Sequence, residues 1–108
     1  MKFLAKVYQP MYDHNDKKYI RLVIPENCAK IIRGMHSKKE TPFDPLNGCI
    51  LTVKIPFRYR RVMCNVKGCP MQSLVKGDEI NVDVDFKGYW DTSGYSWVLV
   101  SSDNSPNV

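Results

Sequence analysis

The sequence predicts an all-β domain, a small five-stranded barrel with one short helix or helical turn. Apolar and polar residues alternate with a period of two in five separate segments, which is the pattern of half-buried strands. Prolines, glycines and other turn-forming residues separate these segments. Five strands joined mostly by short links favour a closed or nearly closed barrel, because closure removes exposed strand edges.

The first two strands are predicted over residues 2–9 and 19–24, with residues 10–18 as a loop. Pro25 ends the second strand. The residues predicted to face inward are Phe3, Ala5, Val7, Ile20, Leu22 and Ile24. The residues predicted to face outward are Lys2, Leu4, Lys6, Tyr8, Tyr19, Arg21 and Val23.

The helix is predicted between the second and third strands. Residues 26–34 can form one or two helical turns, which Gly34 would close. Residues 35–48 contain two prolines and end in Asn-Gly, so they are predicted as a loop.

The third strand is predicted to be the longest, over residues 50–63. Its inward side would carry Leu51, Val53, Ile55, Phe57 and Tyr59. Its outward side would carry Thr52, Lys54, Pro56, Arg58 and Arg60. Pro56 lacks an N–H, so it should lie at an edge, a bulge or a bend.

The fourth and fifth strands are predicted over residues 79–87 and 95–102. An irregular stretch precedes the fourth strand, and residues 88–94 turn the chain between the two. Ile80, Val82, Val84 and Phe86 should face inward, and Asn81, Asp83, Asp85 and Lys87 outward. Trp97 should pack in the core between strands, because its neighbours Val98 and Leu99 are apolar.

The five-stranded OB barrel is the first choice for this pattern, and an SH3-like barrel or another small β-sandwich are the alternatives. Residues 1–102 would form one OB-like domain, since 108 residues suffice for one modest core. Residues 103–108 are polar and are predicted to be a disordered tail.

The composition is that of a soluble globular protein, with 44% apolar and 25% charged residues. No apolar run approaches the ~20 residues of a membrane span. The N-terminal MKFLAKVY is too short and too charged for a signal peptide. We therefore expect no membrane partner and an intracellular location, in the cytoplasm of a bacterial cell or in the host cell of a virus.

The charge is unevenly distributed along the chain. Residues 1–61 hold 13 Lys and Arg against 5 Asp and Glu, a net charge of +8, and residues 62–108 hold 3 against 6, a net charge of −3. This asymmetry indicates one surface for an anionic partner. The alternative is that this uneven distribution arose by chance and that the fold mixes residues of the two parts on its surface.

The four cysteines give a weak indication of a metal site. Cys64 and Cys69 have four residues between them, a spacing that a zinc knuckle could use. Cys28 and Cys49, or His14 and His36, would have to converge on that pair to complete the site. Free, mostly buried thiols are the default expectation, since the chain shows no secretory signal.

The C-terminal third carries a resemblance to a known family. The segment SLVKGDEINVDVDFKGYWDTSGYSWVLVSS resembles the end of OB-fold single-stranded-DNA-binding proteins. The matching residues are Leu74, Lys76, Gly77, Asp78, Tyr89, Trp90, Tyr95 and Trp97. The resemblance implies a binding groove across strands two and three, flanked by residues 10–18 and 87–94.

Cationic and aromatic residues on the predicted outer faces suit single-stranded nucleic acid, because cations bind phosphates and rings stack on unpaired bases. The candidate binding residues are Lys6, Tyr8, Tyr12, Lys17, Lys18, Tyr19, Arg21, Lys54, Arg58, Arg60, Lys87, Tyr89 and Trp90. A solvated charged face is the alternative for the cations, and Trp90 could instead plug the barrel end. Phe57 and Tyr59 are interpreted as core residues.

Catalysis is not predicted, and neither is a cofactor. The sequence contains no Walker loop, no His-Glu-x-x-His and no Gly-x-Ser-x-Gly motif. His14 and His36 are predicted in polar loops without a nucleophile partner. Asp83 and Asp85 could in principle hold a nuclease metal, but strand-surface solubility explains them more simply.

The leading hypothesis is a non-catalytic protein that binds single-stranded DNA in replication, recombination or repair. Its size suggests a phage- or virus-type binder, or a small subunit of a larger complex. Replication or recombination proteins and a second copy of the chain are further candidate partners. The alternatives are an OB-fold module that binds another protein and a module that binds RNA.

Overall fold

Five of the strands close into the predicted barrel. The structure is a computed structural model that describes residues 1–36, 44–90 and 94–104, although the side chains of Tyr89, Trp90, Gly94 and Tyr95 are not described. Its elements in chain order are β1 (Lys2–His14), β2 (Lys17–Val23), α1 (Glu26–His36), β3 (Leu46–Asn47), β4 (Ile50–Ile55), β5 (Phe57–Arg58), β6 (Arg61–Val62), β7 (Asn65–Lys67), a 3₁₀ turn (Met71–Ser73), β8 (Glu79–Trp90) and β9 (Gly94–Asp103).

The barrel strands follow the order β4-β2-β1-β8-β9, and each neighbouring pair in that order is antiparallel. A parallel pairing of β4 with β9, at Lys54 and Val98, returns the sheet to its start and closes it. Two short strands add to this sheet: β3 pairs with β4, and β7 pairs with β9. The fold-class prediction of a small all-β barrel with a short helix is therefore confirmed.

The core is built from the alternation that the sequence shows. On β1, β2 and β4 the inward residues are buried and their neighbours point to solvent. Fully buried side chains such as Ile20, Leu22 and Leu51 each contribute roughly 1.5–3 kcal/mol to folding. Trp97 is 3% exposed, as predicted for a core residue.

Helix α1 adds one apolar face to this core. Its buried residues are Cys28, Ala29, Ile32 and His36, which follow the i, i+4 spacing of a single helix face. The helix continues through Gly34 to His36. The predicted end at Gly34 is therefore wrong by two residues, because burial of Ile32 and His36 on one face extends the last turn.

The first two strands form a longer hairpin than predicted. β1 continues to His14 and β2 begins at Lys17, so most of the predicted loop 10–18 is strand. Asn15 and Asp16 make a two-residue turn with φ angles of 51° and 63°. The pairing of β1 with β2 shifts register between Gln9 and Tyr12, where Pro10 supplies no N–H to the ladder.

The predicted third strand is wrong beyond Ile55. β4 ends there, before Pro56, and residues 57–62 form a separate small hairpin, β5–β6. Tyr59 at its tip is 83% exposed, so its prediction as a core residue is also wrong. Phe57, predicted to lie in the core, is half-buried.

The last two strands extend beyond their predicted limits. β8 runs to Trp90 and β9 from Gly94 to Asp103. The Asn104 side chain accepts a hydrogen bond of 2.6 Å from the Cys69 N–H. β9 thus runs one residue past residue 102, and residues 105–108 of the predicted tail lie outside the described residues.

Candidate functional site

The outward residues of β1, β2 and β4 form one continuous surface, which we call the cationic face. It comprises Tyr8, Tyr12, Lys17, Tyr19, Arg21 and Lys54. The strand registers place these residues in rows across the sheet. Tyr12 pairs with Tyr19, Tyr19 pairs with Lys54, and Arg21 pairs with Thr52. Because paired residues share a side of the sheet, aromatic and basic groups become neighbours.

Two tyrosines and an arginine pack together on this face. The Tyr12 and Tyr19 ring centroids are 5.9 Å apart with an interplanar angle of 30°. The Arg21 guanidinium lies 5.7 Å from the Tyr12 centroid, within cation–π distance. Burial raises the pKa of Tyr19, and the nearby Tyr12 adds to this. The Tyr19 phenol therefore stays neutral and able to donate a hydrogen bond at neutral pH.

A shallow groove of about 260 Å³ opens beside these residues. Its lining residues are Tyr8, Arg21, Asp44, Pro45, Asn47, Ile50 and Thr52. Lys76, from the Lys-Gly-Asp turn before β8, places its ammonium 4.9 Å from the Tyr8 ring centroid. The groove thus combines a ring face, a guanidinium, neutral polar groups and the Asp44 carboxylate, a mixture that can hold a planar polar ligand but that repels a phosphate near Asp44.

Three cations cluster at one end of the cationic face. The pKa of Lys54 is lowered by burial first, and then by the positive charges of Lys17 and Arg58. Among the residues that the structure describes, no acidic group forms a salt bridge with any of these three cations. An anion bound between them would relieve the repulsion, so the cluster suits a phosphate.

Several candidate cations lie away from this cluster. Alternation places Lys18 on the opposite side of β2 from Tyr19, where it forms a salt bridge with Asp13. Lys6 pairs with Glu79 of β8 at the border of the face. The Lys87 ammonium lies 3.6 Å from the Asp85 carboxylate on β8. Each of these lysines has an acidic neighbour, which reduces its availability to an anion.

The remaining candidates occupy two hairpins. Arg58 and Arg60 belong to the β5–β6 hairpin and not to a long third strand, which corrects their predicted position. Tyr89 and Trp90 lie at the end of β8, and their side chains are outside the described residues.

The outer side of β8 differs in charge from the cationic face. It carries Asp83 and Asp85, and the N-terminal ammonium lies 3.3 Å from an Asp83 oxygen. Lys2 of β1 pairs with Asp83 across the strands. The basic and acidic residues are therefore separated by strand, with β1 as the border.

A buried histidine is one feature that the sequence prediction missed. His36 is 4% exposed at the end of α1, not in a polar loop. The Trp97 Nε1–H donates to His36 Nε2 at 2.9 Å, so the ring proton lies on Nδ1 and is donated to Asp44 Oδ1 at 2.8 Å. Asp44 also accepts the Leu46 N–H at 2.9 Å. These bonds tie α1 to β9 and β3, which is a structural role.

Burial lowers the pKa of His36, and the Asp44 carboxylate opposes the shift. The ring is therefore neutral at physiological pH, as its acceptance of the Trp97 hydrogen bond requires. The i, i+4 spacing of Ile32 and His36 on one helix face is the pattern that could have located it.

The cysteines are free thiols in different environments. Cys28 is buried, Cys69 is exposed, and Cys49 donates a hydrogen bond of 2.8 Å to a Glu26 oxygen. Within the described parts of the chain, no group of three or more His, Cys, Asp or Glu residues is arranged to hold a metal ion. Cys64 and Cys69, the pair considered for zinc, thus gain no third ligand there.

Comparison of this chain with protein families, with curated proteins and with solved structures finds no match in any of the three. In the described ranges 1–36, 44–90 and 94–104, no helix is long and apolar enough to cross a membrane.

Proposed function

We propose that this protein binds single-stranded nucleic acid through the cationic face, without catalysis, and that single-stranded DNA is the favoured ligand. The observation that supports this most is the juxtaposition of the Tyr12–Tyr19 pair with the cluster of Lys17, Lys54 and Arg58. Rings can stack on unpaired bases while the cations bind the adjoining phosphates.

The arrangement favours a single strand over a duplex for a geometric reason. The tyrosine rings lie on the outer surface of the β1–β2 hairpin, and the groove lies further along the same face, toward β3. A base can stack on these rings only when it is unpaired and turned away from a partner strand. The resemblance of the C-terminal third to OB-fold DNA-binding proteins favours DNA and a role in replication, recombination or repair.

Fluorescence anisotropy of a labelled oligo(dT), titrated with the protein at several salt concentrations, tests the proposal. Four cations at the site, Lys17, Arg21, Lys54 and Arg58, predict a slope of log K against log salt of about −3. Affinity should then fall roughly 50-fold between ~50 and ~200 mM salt. Absence of binding at low salt would refute the proposal.

A charge reversal locates the binding surface. Arg21→Glu with Lys54→Glu should reduce affinity at least ~100-fold at low salt, because both attractions become repulsions. The matched control is Lys30→Glu with Lys67→Glu, which makes the same charge change at exposed positions on α1 and β7. Equal losses in both variants would show that only net charge matters and not the cationic face.

Competition separates the alternatives. Unlabelled poly(dT) should displace the labelled strand, poly(U) should displace it less well, and duplex DNA should displace it poorly. Stronger displacement by poly(U) would identify the RNA-binding alternative. Failure of every nucleic acid at low salt would leave the protein-binding module as the better explanation of the cationic face.

A further inference from the structure

The β5–β6 hairpin has a turn whose residues do not suit its backbone. Tyr59 and Arg60 occupy its two central positions with φ angles of 52° and 62°. Two consecutive positive φ angles define the turn type that favours Asn-Gly. A bulky residue in this left-handed region is strained, because its Cβ comes too close to the following carbonyl oxygen. Strain of this kind persists where the surrounding structure holds it, and it is concentrated at functional sites.

The side chains of this hairpin also oppose its formation. Arg58 and Arg61 are directly paired across the two strands, and like charges in that position are destabilising. Across residues 1–36, 44–90 and 94–104, no acidic group forms a salt bridge with Arg58, Arg60 or Arg61. Tyr59 exposes 83% of its surface, the largest fraction among the large apolar side chains described.

The base of the hairpin nevertheless packs against the barrel. The Met63 N–H donates to the Pro56 carbonyl at 2.8 Å, which closes the loop at its base. Val62 is partly buried and packs against the core. The Lys18 ammonium lies 4.9 Å from the Phe57 ring centroid and connects the hairpin to β2. The exposed tip is therefore held in a defined position.

That position adjoins the cationic face. β5 begins at Phe57, directly after Pro56 and the end of β4 at Ile55, so the hairpin continues the chain from the end of β4 that carries Lys54. The charge of Arg58 also lowers the pKa of Lys54. A strand lying along the face would pass from the Tyr12–Tyr19 pair, over Lys54, to the arginines and the exposed ring.

We propose that the β5–β6 hairpin is a second nucleotide-binding subsite, in which Tyr59 stacks on an unpaired base and Arg58, Arg60 and Arg61 bind the flanking phosphates. This inference rests on the proposed function and extends it, because it predicts that the protein binds a longer segment of single-stranded DNA than the cationic face alone could hold. Guanidinium groups suit this role, since they bind phosphate oxygens in a forked geometry and also stack on bases.

The decisive variant is Tyr59→Asn with Arg60→Gly. It installs the Asn-Gly pair that the turn favours, so the hairpin is kept while the ring and one charge are removed. Affinity for an oligo(dT) of about 16 nucleotides should fall roughly 5- to 150-fold, the range for loss of one stacked base. The slope of log K against log salt should become shallower by about 0.7. Affinity for an oligo(dT) of about 4 nucleotides, which the cationic face alone can hold, should change little.

Two control variants isolate the cause. Asp16→Gly creates the same Asn-Gly pair in the β1–β2 turn and should not weaken binding to either oligonucleotide. Tyr59→Phe keeps the ring and should bind within about twofold of the wild type, since stacking needs only the aromatic face.

The outcomes distinguish the two proposals. If wild-type protein binds the long oligonucleotide and the Asn-Gly variant binds it equally well, the subsite is refuted while the proposed function stands. A loss in Tyr59→Phe as large as that in the Asn-Gly variant would refute stacking by the ring. If wild-type protein binds no oligonucleotide at low salt, both proposals fail.

Discussion

Two hairpin turns in this protein have nearly the same backbone and very different residues. The β1–β2 turn places Asn15 and Asp16 at φ angles of 51° and 63°, and the β5–β6 turn places Tyr59 and Arg60 at 52° and 62°. Asn and Asp visit this region readily, because their short side chains can hydrogen-bond to the local backbone. Tyr and Arg have no such compensation.

The residues that flank the turns differ in the same sense. In the β1–β2 hairpin, Asp13 pairs with Lys18 and forms a salt bridge with it. In the β5–β6 hairpin, Arg58 pairs with Arg61. The requirements of folding account for the turn residues of the first hairpin and for the ion pair that flanks them. The second has residues that folding alone would not favour, which is why we assign it a ligand.

The largest expected effect concerns the barrel on which both hairpins rest. Ile20→Ala removes a fully buried side chain from β2 and should lower the free energy of unfolding by about 2–5 kcal/mol. Urea denaturation followed by circular dichroism measures this. Val23→Ala, at an outward position of the same strand, is the control and should cost under ~1 kcal/mol. Equal costs would show that β2 is not packed as described.

Giving the first turn the residues of the second, and the second turn the Asn-Gly pair that its backbone favours, tests the comparison directly. Asn15→Tyr with Asp16→Arg gives the first turn the residues of the second and should destabilise the protein by about 1–3 kcal/mol. Tyr59→Asn with Arg60→Gly should instead stabilise it by ~1 kcal/mol, measured in the same urea titrations. If the first exchange costs nothing, the backbone strain attributed to Tyr59 and Arg60 is absent.

Much of the fold was predictable because strand alternation is a local property. The inward positions of β1, β2 and β4, the short helix before β3 and the burial of Trp97 all followed from residues close in sequence. The acidic outer side of β8 followed in the same way. Prediction of a closed barrel from five alternating segments is therefore confirmed.

The errors arose where the alternation of apolar and polar residues continues in the sequence beyond the end of a strand. Phe57 and Tyr59 keep the alternation of β4, so they were interpreted as core residues, but the chain turns back after Pro56. No sequence pattern marks Tyr59 and Arg60 as a turn, because they are not turn-forming residues. The site was predictable in its cations and outward tyrosines, whereas the Tyr12–Tyr19–Arg21 packing depends on register shifts in β1.

The barrel region around His36 should lose stability in acid. Burial lowers the pKa of His36 in the folded state below its ordinary value of 6.5. The unfolded chain therefore binds more protons, and the contribution to stability is fully present above about pH 6.5 and is lost as the pH falls toward the lowered pKa. Protonation of Nε2 also breaks the hydrogen bond from Trp97.

Urea titrations between about pH 8 and pH 5 measure this loss. His36→Gln should remove most of the pH dependence in that interval, although it lowers stability overall. His14→Gln, at an exposed position on β1, is the matched control and should retain the wild-type dependence. A wild-type dependence that persists in His36→Gln would mean that another group is responsible.

The smallest expected effect is a change in the pKa of Lys54, which reports how close the charges of the two hairpins lie to the cationic face. The charges of Lys17, at the start of β2, and of Arg58, in β5, both lower the pKa of Lys54. Removal of either positive charge should therefore raise that pKa, and Lys17→Gln should raise it at least as much as Arg58→Gln. NMR titration of the Lys54 side chain in each variant gives the two shifts.

Lys76→Gln, at a cation near Tyr8, is the control and should leave the Lys54 titration unchanged. A Lys54 pKa unaffected by Arg58→Gln would separate the β5–β6 hairpin from the cationic face, and the two subsites could not then hold one continuous strand.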